Sequence, residues 1–117
     1  MIQNKKTIER YIDGFNKSNH AQILSCLTED VEWIMPGLFH HVGKEAFDKE
    51  IENEAFTGRP VVLVTRMTEE NDVVTVEGTV QVQKKEGDIL QLIFCDVFEM
   101  QKGKIKKLIG FIAEEKH

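Results

Sequence analysis

Apolar residues recur at two different periods along this chain, and the change of period divides it. Over residues 7–15, Ile8, Tyr11, Ile12 and Phe15 fall at helical spacing and predict an amphipathic helix. The cluster Asn16-Lys17-Ser18-Asn19 ends it, and Ser18 or Asn19 can cap a second short helix carrying Ile23, Leu24 and Leu27. Residues 31–35 alternate, with Val31, Trp33 and Met35 on one side, and Pro36-Gly37 closes that strand as a turn. Helical spacing returns over residues 43–54, where Ala46, Phe47 and Ile51 form one stripe and charges the other. After Gly58-Arg59-Pro60 the period becomes two. Strands are predicted over residues 61–69, 73–84, 89–101 and 104–113, with turns at Glu70-Asn71-Asp72, Lys85-Glu86-Gly87-Asp88 and Lys102-Gly103. Helices first and an antiparallel run after them mean α+β, not alternating α/β. The polar tail, residues 114–117, is expected to fray.

The most apolar of these strands, residues 89–101, contains one acid. Alternation puts Leu90, Leu92, Phe94, Asp96, Phe98 and Met100 on the same face. A carboxylate among apolar side chains is costly unless it is hydrogen-bonded or protonated. A structural acid with its partners in place satisfies that condition as well as a functional one does.

Composition narrows the partners. At 117 residues the chain is one domain, 1–117, long enough for a sizeable core and too short for two. A net charge of −5 and a pI near 5.4 disfavour nucleic acid and an anionic membrane. The cluster Lys104, Lys106 and Lys107 reads as a solvated strand end. No run of about 18 apolar residues is present, and residues 1–6 lack an apolar signal core. Cys26 and Cys95 stand far apart, which is neither a disulfide framework nor a zinc pattern and fits a reducing cytosol. A cytoplasmic protein is expected. His20, His40, His41 and His117 share no metal-ligand spacing, so neither a metal nor another cofactor is expected. Cys95, between Ile93 and Val97 on the outward parity, has no local base and reads as an inert thiol.

The order and spacing of several short motifs carry a resemblance across nearly the whole chain. They are Thr28-Glu29-Asp30-Val31-Glu32-Trp33, Pro36-Gly37, Val42-Gly43-Lys44-Glu45-Ala46-Phe47, Cys95-Asp96-Val97-Phe98-Glu99 and Gly103-Lys104-Ile105. Together they resemble the nuclear transport factor 2-like superfamily, nearest its SnoaL-like and ketosteroid-isomerase-like branches. The resemblance implies a cone-shaped, curved antiparallel sheet wrapped around N-terminal helices, the cystatin-like α+β roll, with a pocket inside. It also implies that Tyr11, Phe15, Trp33, Met35, Leu92, Phe94, Asp96, Leu108, Gly110 and Ile112 face inward. Gly110, lacking a side chain, would leave room for a ligand or a bend. The fold hosts many functions, so it does not by itself fix one.

Within that resemblance, Glu9-Arg10-Tyr11-Ile12 is similar to the stretch that supplies the oxyanion-hole tyrosine of ketosteroid isomerase. Asp96, followed by Val97, is similar to the carboxylic acid that shares that hole. Both would act as neutral donors to a substrate oxygen. The general base is where this chain departs from the pattern. Met35 precedes Pro36 where the isomerase has an acid, and a thioether cannot abstract a proton. Glu32 lies on the opposite parity. His40 and His41, read as part of a loop at the pocket mouth, are the possible substitutes.

The expected ligand is therefore a small, largely apolar molecule bearing one carbonyl or hydroxyl oxygen, held by Tyr11 and Asp96. Walls would come from Phe15, Trp33, Met35, Leu92, Phe94, Leu108, Gly110 and Ile112. The alternatives are an isomerase, cyclase or dehydratase with His40 or His41 as base, and a dimeric interaction domain with a vestigial pocket. A homodimer is expected through the outer sheet face, where Ile93, Cys95 and Val97 form an apolar patch. Val74, Val76, Val80 and Val82 alternate along the neighbouring strand.

Overall fold

Helix α1 spans Asn4–Lys17, one turn longer at its start than the apolar spacing predicts. The extra turn is fixed by polar contacts that periodicity does not register. Asn4 is buried and its amide donates to Glu69 (2.9 Å) and Asp72 (3.1 Å), while Thr7 donates to the Gly103 carbonyl (2.7 Å). These bonds seat the helix N-terminus against two β-turns. The C-terminus closes at Ser18, which adopts the left-handed conformation (φ 52°). Helix α2 (His20–Leu24) follows at once, with the Asn19 side chain accepting from the Gln22 N–H at 3.1 Å. The two helices cross closely at Gly14, where a Cβ would stand 2.8 Å from Ile23 Cγ1.

Leu27 is fully buried, as expected, but it begins strand β1 (Leu27–Met35) and does not belong to the helix. At the end of β1, Pro36 and Gly37 (φ +81°) form a turn closed by the Leu38 N–H donating to the Met35 carbonyl at 2.8 Å. The chain then returns as β2 (Phe39–Val42), antiparallel to β1. Residues 39–42 are thus a strand, and His40 and His41 do not lie in a loop. Helix α3 (Lys44–Ile51) packs over the sheet through Phe47. Strands β3 (Phe56–Glu70), β4 (Val73–Lys84), β5 (Ile89–Gln101) and β6 (Lys104–Glu114) complete the chain.

The computed structural model describes residues 3–51 and 56–115, with the side chains of residues 56–59 also outside the description. The expected helix residues 52–54 and the last two residues of the tail therefore lie outside the described residues. Glu114 belongs to β6 and the Glu115 N–H donates to Gln91 O at 2.9 Å, so the tail up to residue 115 is tied down rather than frayed.

Six strands form one curved, open sheet in the order β2-β1-β6-β5-β4-β3, and the molecule is α+β as expected. One pairing departs from an antiparallel sheet: β1 runs parallel to β6, with Trp33 opposite Leu108 and Ile34 opposite Ile109. The meander of β3 to β6 ends beside β1, so the long excursion through α3 and the meander serves as the crossover a parallel pair needs. The concave face carries the core: Val74, Val76, Phe94, Phe98 and Leu108 close over Ile8, Tyr11 and Phe47. Val74 and Val76 are fully buried, and Val80 packs against the same core, so these valines belong to the concave face and add nothing to the outer patch. Edge strand β3 is bent onto α1 by a register slip between Val64 and Arg66, which leaves Val64 opposite Gly78 and Met67 opposite Val76. The Asn16 amide then completes the edge, accepting from the Val62 N–H (2.7 Å) and donating to the Val62 carbonyl (3.3 Å). No described helix is long and apolar enough to cross a membrane.

Candidate functional site

Asp96 sits mid-sheet on β5, between Val76 on β4 and Gly110 on β6. Phe94 and Phe98, two residues to either side, are buried. Burial pushes the Asp96 carboxyl up from the ordinary carboxylate range to about 7. Helix α1 carries Tyr11 over the same face, buried among Phe15, Phe47 and Phe98 at ring-centre distances of 5.0, 6.2 and 5.4 Å. Burial first, and the nearby Asp96 second, hold the Tyr11 hydroxyl well above its usual range, so it stays protonated. The two groups are brought together but do not bond to each other. Among the described residues neither makes a hydrogen bond, and neither is a buried, partnerless atom of the kind Asn4 Oδ1 is.

The remaining inward residues are placed one by one. Trp33 stacks on Phe47 (4.3 Å, 29°) and meets Phe39 and Phe15 edge-on at 5.3 and 6.3 Å. It thus fills part of the cone as well as lining it. Phe94 lies over Gly78, whose absent Cβ would be 2.9 Å from the ring. Leu108 is buried, Leu92 half-buried, and Ile112, 44% exposed, forms rim rather than wall. The space beside Gly110 is taken up: the position a Cβ would occupy is 2.6 Å from Met35 Sδ and 2.9 Å from Asp96 Oδ1. The thioether and the carboxyl share the notch that the glycine leaves.

The two histidines separate. His40 is paired with Ile34 across the ladder and points to Glu32 (2.9 Å), on the convex side. His41 is paired with Trp33 on the concave side, but its Nε2 is bonded to Glu50 of α3 at 2.8 Å and its ring stacks on Phe39. From β5 to β2 there are three strand spacings, about 14 Å along the sheet, so neither histidine is placed to serve the Asp96 carboxyl. Phe39 and Phe47 are the site neighbours that sequence reading missed. The alternation of Phe39 and His41 after Pro-Gly is a strand signal, obscured by its four-residue length.

Cys95 faces outward across from Glu77, which is paired with Arg66 (2.6 Å), and burial first raises its thiol above the usual range. A separate open groove of about 490 Å³ between α1 and β3, lined by Lys5, Glu9, Asp13, Val64 and Met67 among others, includes neither Asp96 nor any ring of the aromatic cluster.

The profile of the SnoaL-like domain matches residues 8–108 of the chain. No protein of curated function matches it significantly. Among solved structures, TerC co-crystallised with polyporic acid superimposes with a TM-score of 0.86 at 24% identity, covering 94% of this chain and 91% of that one. An LEH-like epoxide hydrolase of M. tuberculosis gives 0.80 at 15% identity, over 92% and 80% of the two chains. A protein of ketosteroid isomerase-like fold from Catenulispora acidiphila, in complex with trimethylamine, gives 0.82 at 12%, over 92% and 85%. At these identities the likeness is one of fold.

Proposed function

The chain belongs to the SnoaL-like domain family, and from that premise we propose that its cone binds one small, largely apolar molecule through a carbonyl or hydroxyl oxygen held by Tyr11 and Asp96. The observation that carries this is the state of Asp96: a carboxyl on the concave face, its pKa lifted to about 7 by burial, with no hydrogen bond to any described residue. A half-buried carboxyl that no described residue bonds is free, when protonated, to donate to a ligand oxygen. Protonated Asp96 and the Tyr11 hydroxyl then act as two donors to one oxygen, in surroundings that strengthen both bonds. TerC and the Catenulispora protein, which share the fold, each hold a small molecule.

Turnover by proton abstraction is not part of this reading. Met35 stands in the place of the base, and His41 is turned to Glu50. An isomerase, cyclase or dehydratase would need the ligand or Asp96 itself to move the proton. The stack of Trp33 on Phe47 favours a second reading, in which the cone is filled and the domain serves only in assembly.

Assembly enters the proposal through the convex face. Ile93 and Phe111 there are 47% and 49% exposed, beside Val97 and Ile109, and a second copy related by a two-fold axis would cover them. Both cysteines are free, which supports a reducing, cytoplasmic setting.

The test is native mass spectrometry for a co-purified small molecule, with an absorbance titration by 4-nitrophenol. Tyr11→Phe and Asp96→Ala are each expected to weaken nitrophenol binding at least tenfold. Equal affinity in all three proteins would remove the site.

A further inference from the structure

We propose that Met35 is the specificity-determining residue of this site, a movable cover over the Asp96 carboxyl that yields to a flat aromatic ligand. The inference rests on the Tyr11–Asp96 reading and goes beyond it by naming the shape the site selects.

Three observations support it. The Met35 sulfur and Asp96 Oδ1 crowd the same point, 2.6 and 2.9 Å from where a Gly110 Cβ would be, so only glycine at that position lets the thioether reach the acid. Met35 is also the last residue of β1, directly before the exposed turn Pro36-Gly37-Leu38, so its side chain stands at the rim, not deep in the core. Methionine, finally, is unbranched, has three rotatable bonds and makes favourable contacts to aromatic rings, so it can leave the notch and repack on a ligand.

The shape follows from what the thioether vacates. A sulfur atom in van der Waals contact on both sides occupies a layer about 3.5–4 Å thick, which is the thickness of one aromatic ring. The floor of that layer is the bare backbone of Gly110. Leu108 and Ile112, two residues to either side of Gly110, and Trp33, two before Met35, rail its edges. A flat ring bearing one phenolic or carbonyl oxygen slides into this slot and meets Asp96. A puckered ring of the same carbon skeleton does not.

The probes are 2-naphthol and its saturated counterpart decahydro-2-naphthol, with affinities measured by calorimetry on the full chain. The unaltered protein is expected to prefer 2-naphthol at least tenfold. Met35→Ala, which removes the cover, should cut that preference to threefold or less, and Met35→Leu, which keeps bulk without sulfur, should weaken 2-naphthol alone. A spectrum of methyl-labelled methionine needs no variant: on saturation with 2-naphthol the Met35 signal should shift while those of Met67 and Met100 stay. Binding that Tyr11→Phe and Asp96→Ala leave unchanged overturns the site itself. Binding that they abolish, with the preference unmoved by Met35→Ala or the Met35 methyl unmoved by 2-naphthol, overturns the cover and leaves the site standing.

Discussion

Asp96 holds a proton at pH values where an ordinary aspartate has lost it, because burial between Phe94 and Phe98 opposes its charge. The folded chain keeps that proton up to about pH 7, while the unfolded chain releases it near pH 4. Stability from this group is therefore complete below about pH 4 and is lost as pH rises through about 7, the full loss being on the order of 4 kcal/mol. Asp96→Asn keeps the shape and a donor without the charge. It is expected to be neutral at pH 4 and to stabilise the fold by about 1–4 kcal/mol at pH 8, in urea melts at both pH values. Marked destabilisation at pH 8 would mean an ionised, paired acid. At Met35 the expectation is catalytic: negligible ketosteroid isomerase activity in the unaltered protein, with measurable turnover appearing in Met35→Asp. Efficient turnover without the substitution would show that another residue abstracts the proton. Asp96 was legible because strand parity alone puts it on the apolar face. What fills the Gly110 notch was not, because a sequence records an absent side chain and not the neighbour that moves into its place.

At the level of elements, long periodic segments were legible and short ones were not. Strands β4 and β5 fall where alternation puts them, because twelve or more residues repeat the signal. Strand β2 has four residues, two of them histidines, and is set by its turn and by pairing with β1, which are not properties of its own composition. The bulge in β3 is likewise invisible locally, since it arises where the strand bends to meet α1. Gly78 tests the importance of that bend. A Cβ there would collide with the Leu63 backbone carbonyl and come within 2.9 Å of the Phe94 ring, neither of which is a flexible chain end. Gly78→Ala should therefore destabilise by about 1–3 kcal/mol or more, read as a shifted urea midpoint. An unchanged midpoint would show that β3 and β4 are not held this closely.

For the whole molecule, the period change was enough to anticipate helices followed by a meander whose consecutive strands pair with their neighbours. The cone was expected only through the resemblance to the nuclear transport factor 2-like superfamily. The parallel contact of β1 with β6 was not legible, because it joins segments more than seventy positions apart. The convex face bears on assembly. Val97 lies near its centre, between Thr75 and Ile109 on the adjoining strands. Val97→Lys is expected to convert a dimer into a monomer in sedimentation at micromolar concentration, while 4-nitrophenol affinity stays within twofold. A monomer before the substitution would contradict the proposed dimer.

The central claim is that Asp96 is a half-buried acid on the concave face, bonded to no described residue and neutral up to about pH 7, so that it can donate to a ligand oxygen. The most direct test is an NMR titration of its labelled side-chain carboxyl in the unaltered protein. A midpoint close to 7 is the expected result. A midpoint at or below about 4, the value of an exposed or paired aspartate, would contradict the account.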